Sequence, residues 1–266
     1  MNYQLNETEY LFVYGYLLKG FHVYNEYLTN SLYIGKSITL NKYRMFVNVK
    51  SPRVNEILEG KYPILGELFK IDNKTQELID ECEGINKGDN PFNDTGGYYR
   101  KKIQVICNNK EYNCYIYFCN FLCQSDCEVL SGNFKDIYTD IWYFSYGANT
   151  NRKVFSDRCK INDFIMLHGT INNYTLKFNK LMFDGSGCAN IIVCKGTDTK
   201  GILYKIPFVS LLNLNIYEGY PNHYTNIILP VETSIGTINA YVYIANQTHV
   251  VDGLLPNKKY FDSIIS

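Results

Sequence analysis

Two stretches of the chain have nearly the same sequence: Leu11-Phe-Val-Tyr-Gly-Tyr-Leu-Leu18 and Trp142-Tyr-Phe-Ser-Tyr-Gly-Ala-Asn149. Each contains an apolar run that is typical of a buried β-strand, and in each the run breaks at a Tyr-Gly pair. The two Tyr-Gly pairs lie 132 residues apart in a chain of 266 residues. This arrangement indicates two copies of one structural module.

A second pair of motifs keeps the same spacing in both halves of the chain. Gly66-Glu-Leu-Phe-Lys-Ile71 begins 17 residues before Glu83, and Gly201-Ile-Leu-Tyr-Lys-Ile206 begins 17 residues before Glu218. Such separations persist in a duplicated fold because loops change faster than the core. The matched spacing therefore supports a tandem repeat and singles out one glutamate in each copy.

The repeat predicts two domains, residues 1–138 and 139–266, each large enough for its own core. In the first module the residue pattern predicts strands over Tyr10–Tyr14, Ser31–Ile38, Tyr43–Val49, Ile64–Ile71, Tyr98–Cys107 and Tyr112–Phe118, and helices over Phe21–Thr29 and Lys74–Cys82, with Leu78 and Ile79 on the inner side of the second helix. A loop rich in Gly, Asn and Asp spans 86–97, and the second module repeats the order with a final helix after Leu255. The expected fold class is α+β: a mixed sheet or small β-barrel with short peripheral helices in each module.

Charge and composition narrow the set of partners. The 26 basic residues balance the 26 acidic ones, so neither nucleic acid nor an anionic membrane is an expected partner. The N-terminal sequence has no secretory-signal pattern, and no segment approaches the roughly 18 apolar residues that would span a bilayer. We therefore expect a cytoplasmic protein with a small neutral or zwitterionic ligand. The sequence leaves the oligomeric state open.

Cysteine and histidine give no sign of a metal site. The nine cysteines are expected to be reduced and mostly buried. Cys119, Cys123 and Cys127 fall four residues apart and would share a helical face, but their spacing is not Cys-x-x-Cys and no histidine lies near. No P-loop or Gly-x-Gly-x-x-Gly fingerprint is present. Neither a metal nor an organic cofactor is predicted.

The Tyr-Gly pairs and the two glutamates are the candidate site residues. A glycine directly after a strand lets the backbone turn and leaves N–H groups that can hold an anion, although a single Tyr-Gly is more often only a tight turn. Glu83 and Glu218 each end an apolar helical run and precede a glycine. One such glutamate is normally a solvated surface residue. Two at matched positions suggest carboxylates in pockets, where desolvation would raise their pKa values and suit them to general acid/base catalysis.

Taken together, these residues resemble the gamma-glutamylcyclotransferase-like superfamily, whose members carry a Tyr-Gly-(Ser/Thr/Ala)-(Asn/Leu) loop after the first strand and a Leu-Asp-x-x-Glu-Gly motif. The first module looks like the gamma-glutamylamine cyclotransferase branch, through Tyr14-Gly-Tyr-Leu17, Asp80-Glu-Cys-Glu-Gly84 and Tyr99-Arg100. The second is similar to the gamma-glutamylcyclotransferase branch, through Tyr146-Gly-Ala-Asn149, Glu218-Gly-Tyr-Pro221 and a closing Leu-Pro-x-x-x-Tyr260.

The resemblance implies a closed mixed β-barrel in each module, with the glutamate and the Tyr-Gly loop facing one cavity. It implies an enzyme that cyclises a γ-glutamyl group to 5-oxoproline, releases an amine or amino acid and needs no cofactor. Glu83 and Glu218 would be the catalytic residues. The implied substrate-binding residues are Tyr14, Gly15, Tyr16, Leu17, Tyr99 and Tyr117 in the first module, and Tyr146, Gly147, Ala148, Asn149, Tyr224 and Tyr243 in the second.

Two positions depart from the superfamily pattern. Tyr16 stands where the first branch usually has threonine, so its ring is expected to narrow the first pocket or alter the substrate. Asn215 replaces the aspartate of the second motif, which is expected to weaken the hydrogen bonds around Glu218. The second module, whose binding loop departs least, is favoured as the active one.

Two other functions remain open at the level of sequence. One is a binding or scaffold protein whose barrels hold a small ligand without turnover, although such a pocket gains little from a desolvated carboxylate. The other is a different lyase or an amide hydrolase, because a fold does not fix a reaction.

Overall fold

The computed structural model describes residues 8–49, 51–85 and 97–265. Contacts within the chain divide it into two compact units on either side of the Asp136–Ile137 bond. Most of the loop predicted over 86–97 lies outside the described residues. In the described part of the chain, no helix combines the length and the apolar character that a membrane span requires.

The first unit is built mainly from strands. Its strands are β1 (Thr8–Val13), β2 (Leu32–Val47), β3 (Pro52–Asn55), β4 (Tyr62–Asp72), β5 (Tyr99–Cys107), β6 (Lys110–Phe118) and β7 (Cys127–Glu128), and its helices are α1 (His22–Tyr27) and α2 (Asn73–Cys82). The strand order β2-β4-β1-β6-β5 closes on itself because β2 also pairs with β5. β1 and β6 run parallel, and the other pairings of the barrel are antiparallel. A mixed five-stranded barrel results, with β3 and β7 attached to the far half of β2.

The second unit repeats this barrel. Its strands are β8 (Asp140–Ser145), β9 (Ile165–Leu181), β10 (Gly187–Pro207), β11 (Tyr224–Thr233) and β12 (Gly236–Ala245), and its helices are α3 (Arg152–Cys159), α4 (Phe208–Glu218) and α5 (Lys258–Ile265). The closed order is β10-β8-β12-β11-β9, with β8 and β12 parallel. The predicted α+β fold of two mixed β-barrels with short peripheral helices is confirmed.

The repeated Gly66 and Gly201 have a packing role in this barrel. A Cβ atom on Gly66 would lie 2.2 Å from the carbonyl oxygen of Val13, and one on Gly201 would lie 2.2 Å from the carbonyl oxygen of Ser145. Both distances are shorter than any carbon–oxygen contact allows. Only glycine therefore lets the neighbouring strand approach closely in each copy.

Several local predictions differ from the structure. The strands predicted over Ser31–Ile38 and Tyr43–Val49 are one strand, β2, whose pairing with β4 shifts register between Ile38 and Lys42. The short strands β3 and β7 were not predicted, because runs of four and two residues give no periodic signal.

Two predictions about helical faces are wrong. Leu78 was expected on the inner side of α2 but is 44% exposed, whereas Ile79 is fully buried as predicted. Gln76, three residues before Ile79, takes the other inner position, because residues three apart share a helical face. Cys119 and Cys123 do not lie on a helix, and Cys127 begins β7.

Candidate active site

A tyrosine fixes the loop that follows the first strand of each barrel. The Tyr14 hydroxyl donates a hydrogen bond to the carbonyl oxygen of Tyr117 at 2.8 Å, and the Tyr146 hydroxyl donates to the carbonyl oxygen of Tyr243 at 2.5 Å. Both phenols are buried. The duplicated Tyr-Gly pair is therefore a tethered loop at matched positions of the two barrels.

Each of the two loops closes in a tight turn that begins at its glycine. In the first unit the turn closes with a hydrogen bond from the Leu18 N–H to the Gly15 carbonyl oxygen, and in the second with one from the Thr150 N–H to the Gly147 carbonyl oxygen, each 2.9 Å long. The first turn of a helix or of a tight loop cannot satisfy the N–H groups that precede its first hydrogen bond. Consecutive N–H groups of this kind form a nest that suits a carboxylate.

The first cavity, which we define as the one bordered by the Gly15 loop, has a volume of about 490 Å³ and contains Glu83 in its wall. Glu83 caps the C-terminal end of α2 through a hydrogen bond from its N–H to the Ile79 carbonyl oxygen at 2.9 Å. Desolvation, followed by the charge of Asp80, raises the pKa of Glu83 from the ordinary value of 4.5 to about 7. The carboxyl group can therefore both take up and return a proton near neutral pH.

The second cavity, bordered by the Gly147 loop, has a volume of about 390 Å³ and contains Glu218 in its wall. Asn149 donates a hydrogen bond from Nδ2 to Glu218 Oε1 at 3.0 Å and accepts one from Arg158 at 2.8 Å. Arg158 itself lies 3.9 Å from the Glu218 carboxylate. Desolvation raises the pKa of Glu218, and Arg158 and Asn149 partly oppose that rise.

The glycine after each glutamate is needed by the backbone. Gly84 and Gly219 have φ angles of 74° and 62°, in the left-handed region that side chains disfavour. A glycine in this conformation commonly ends a helix. The repeated Glu-Gly pair therefore stops the helix where the glutamate reaches the cavity.

A tyrosine from the last barrel strand, β6 or β12, supports the glutamate loop in both units. The Tyr117 hydroxyl donates to Asp80 Oδ1, and the Tyr243 hydroxyl donates to Asn215 Oδ1, each at 2.6 Å. Asn215 therefore keeps the hydrogen bond that the aspartate makes in the first unit, contrary to the weakening expected from the sequence. Asp80 also forms an ion pair with Arg100, whereas the uncharged Asn215 accepts a hydrogen bond from Asn226 at 3.4 Å.

The prediction for Tyr99 is corrected by one residue. Tyr99 does not line the first cavity; its hydroxyl donates to Glu56 at 2.6 Å. Tyr98 lines the cavity and donates to the Pro52 carbonyl oxygen, as Tyr224 does to the Ala189 carbonyl oxygen in the second unit. The signal was present, because Tyr98 precedes Tyr117 by the 19 residues that separate Tyr224 from Tyr243.

The other residues predicted for the site border one of the two cavities. Tyr14, Gly15, Tyr16, Leu17, Glu83 and Tyr117 line the first cavity, and Tyr146, Gly147, Ala148, Asn149, Glu218, Tyr224 and Tyr243 line the second. The Tyr16 ring packs edge-on against Phe134 at 5.1 Å, and the first cavity is the larger of the two. Sequence reasoning missed Tyr98, Arg158 and Lys180, and for the two cations no sequence signal was available.

Each barrel thus places a desolvated carboxyl group and a tethered glycine loop at one cavity. The sequence profile of the family described as Gamma-glutamyl cyclotransferase, AIG2-like, matches residues 11–136 and 143–262. The chain therefore belongs to this family.

The chain is also similar to individual proteins and solved structures. A Methanocaldococcus jannaschii protein, provisionally named a gamma-glutamylcyclotransferase, is 40% identical over 131 residues, which cover 48% of this chain and 97% of the relative. The crystal structure of YkqA from Bacillus subtilis covers 97% of this chain and 90% of its own, with 22% identity and a TM-score of 0.42. A structure titled Gamma-glutamyl cyclotransferase covers 47% of this chain and 76% of its own, with 21% identity and a TM-score of 0.42. The assignment rests on the profile and the archaeal relative.

Proposed function

We propose that the protein is a gamma-glutamylcyclotransferase-type enzyme that converts a γ-glutamyl group into 5-oxoproline and releases an amine or amino acid. The observation that supports this function most strongly is the pairing, in both cavities, of a carboxyl group of raised pKa with the glycine loop. A γ-glutamyl compound has a matching set of groups: an α-carboxylate for the loop and an α-ammonium for the carboxylate.

The proposed reaction needs one acid/base residue. Glu83 or Glu218 takes a proton from the α-ammonium group, and the freed amine attacks the γ-carbonyl carbon of the same molecule. The new C–N bond closes the five-membered ring, and the glutamic acid gives its proton to the departing nitrogen as the original amide C–N bond breaks. The regenerated carboxylate then carries a second proton from the new ring nitrogen to the released amine, which leaves as an ammonium ion. Atoms and charge balance without water, a redox partner or a metal.

The binding loop supplies most of the proposed rate enhancement by positioning. N–H groups around Gly15 or Gly147 hold the α-carboxylate, so that the α-nitrogen lies over the γ-carbonyl carbon. Well-oriented intramolecular reactions reach effective molarities on the order of 10⁵ M or more. The tyrosines of each cavity, Tyr98 and Tyr117 in the first and Tyr224 and Tyr243 in the second, enclose the folded substrate.

The second site holds its acid/base carboxylate with more polar contacts than the first site does. Asn149 and Arg158 hold the Glu218 carboxylate in one orientation, whereas the matched position in the first loop is Leu17, which offers no hydrogen bond. We therefore propose that the second site performs most of the turnover, and that the first acts on a different compound or more slowly.

Incubation with a panel of γ-glutamyl amino acids and γ-glutamyl amines, followed by mass spectrometry of 5-oxoproline, tests the function. We expect Glu218→Gln to remove most of the release, Glu83→Gln to remove the remainder, and both variants to stay folded. Glu77→Gln, a surface change on α2, is the matched control and should have no effect. Full activity in the double Gln variant would contradict the proposal, and tight binding of γ-glutamyl compounds without release would indicate a binding protein.

A further inference from the structure

The two cavities differ in the charges that line them. Two cations, Arg158 and Lys180, border the second cavity together with the single carboxylate of Glu218. The first cavity contains Glu83 and, among the described residues, no lysine or arginine. Arg158 donates a hydrogen bond to Asn149 and lies beside the Glu218 carboxylate. Lys180 is therefore the cation of this cavity that is left to bind a substrate group.

Lys180 is held at the mouth of the second cavity. It lies on β9 opposite Cys188 of β10, and its ammonium group stands 5.6 Å from the centre of the Tyr224 ring. No carboxylate of the described residues forms an ion pair with it. Its charge nevertheless reaches the site, because it lowers the pKa of both Glu218 and His223. Among the described residues that border the cavity, Glu218 carries the one carboxylate, so no other acidic group there competes for an anion.

The same mouth has an apolar side. Phe183 is fully exposed, and Ile216 and Tyr217 are 61% and 53% exposed, yet all three border the second cavity. Large apolar side chains grouped at the edge of a cavity commonly mark a binding surface.

Phe183 lies in a hydrogen-bonded turn between β9 and β10. The Met182 N–H donates to the Ser186 carbonyl oxygen at 2.9 Å, and the Asp184 carboxylate accepts from Asn257 at 3.0 Å. The backbone that carries Phe183 is therefore fixed by hydrogen bonds, three residues after Lys180, and both side chains border the second cavity.

From this geometry we infer that the second site selects its leaving group by two features, a free carboxylate bound by Lys180 and a large apolar side chain placed on Phe183 and Tyr217. The inference rests on the proposed cyclisation, in which the γ-glutamyl half fills the inner cavity and the leaving half extends to the mouth. The preferred compounds are γ-glutamyl conjugates of bulky apolar amino acids. Lys180 and Phe183 are then specificity residues that contact the substrate away from the reacting atoms.

Four compounds separate the two features: γ-glutamyl-phenylalanine, γ-glutamyl-alanine, and the carboxamide of each. They are assayed with the Glu83→Gln protein, in which only the second site turns over. Lys180→Gln should lower the acid-to-amide ratio of kcat/KM about tenfold, because a charge-assisted contact at a half-exposed site is lost. Lys177→Gln, an exposed lysine on the same strand that does not border the cavity, should leave that ratio unchanged.

The apolar feature has its own variant. Phe183→Ser should lower the ratio of kcat/KM for the phenylalanine over the alanine compound about fivefold, since the ring is bound at an open mouth rather than in a closed pocket. It should leave the acid-to-amide ratio as it was. Val193→Ser, at another exposed apolar residue outside the cavity, is the control.

The outcomes distinguish the inference from the function on which it rests. Release of 5-oxoproline with ratios unmoved by Lys180→Gln and Phe183→Ser overturns the leaving-group assignment and leaves the cyclisation standing. No release from any of the four compounds overturns both.

Discussion

The pH at which activity is lost on the acid side of the pH–rate profile should depend on one hydrogen bond, from Asn149 to Glu218. Asn149→Leu gives the second loop the residue that the first loop has at Leu17, and it removes the donor that lies 3.0 Å from Oε1. Because the donor favours the ionised carboxylate, its loss raises the pKa of Glu218 further. Hydrogen bonds to charged groups contribute about 1.5–3 kcal/mol, and one pKa unit corresponds to about 1.4 kcal/mol. The expected rise is therefore about one to two units.

The assay is kcat/KM for 5-oxoproline release between pH 4.5 and 9 in the Glu83→Gln background. The carboxylate is the base in the free enzyme, so activity is lost as the pH falls through its pKa. Asn149→Leu should move this acid limb upward by about one to two pH units, and the limb should be unmoved by Asn172→Leu, an exposed position on β9.

A limb that stays in place or moves to lower pH would refute this account of Glu218. Because the substrate is the same in all variants, its own ionisation cannot produce the shift. Thermal unfolding checks that the variant is folded, since the change also removes the Asn149 contacts to Tyr143 and Arg158.

Three further outcomes are expected. In a Glu218→Gln background, the acid limb of the first site should lie near pH 7, because the pKa of Glu83 is raised to about 7. Leu17→Asn should move this limb to lower pH. A limb that already lies near pH 4.5 before the Leu17 change would contradict this. Glu218→Gln should stabilise the second unit at pH 8 but not at pH 4, because a carboxyl group whose pKa is raised on folding contributes stability below its unfolded pKa that is lost as the pH rises through the folded value. Urea unfolding followed by the single tryptophan, which lies in β8, measures it, and equal stability at pH 8 would count against a desolvated carboxylate. Tyr98→Phe should lower kcat/KM of the first site several-fold while Tyr99→Phe does not; the reverse order would restore the assignment made from sequence.

The barrel could be predicted from the sequence because its constraints recur. Gly66 and Gly201 are fixed by the close approach of a carbonyl oxygen, and the Glu-Gly pairs are fixed by a left-handed backbone, so both motifs persist at equal spacing in the two copies. The short strands β3 and β7 leave no such trace, because their pairing with β2 is decided by tertiary contacts alone.

The sequence could predict only those site residues whose positions are fixed by the strand or loop to which they belong. Choosing Tyr99 over Tyr98 reversed the face of the sheet, since a shift of one residue moves a side chain to the opposite side. Arg158 reaches Glu218 because α3 packs on the barrel through Phe155, whose ring stacks on Tyr204 at 3.6 Å. An arginine in a polar helix carries no sign of that packing.

The most direct test of the central claim is a crystal structure of the protein with both Glu83→Gln and Glu218→Gln, bound to an unreacted γ-glutamyl compound. The account predicts that the α-carboxylate accepts hydrogen bonds from the N–H groups of residues 147–149. It also predicts that the α-nitrogen lies within about 3.5 Å of both the γ-carbonyl carbon and the side chain at position 218. A compound bound away from the Gly147 loop, or with its α-nitrogen turned from position 218, would contradict it.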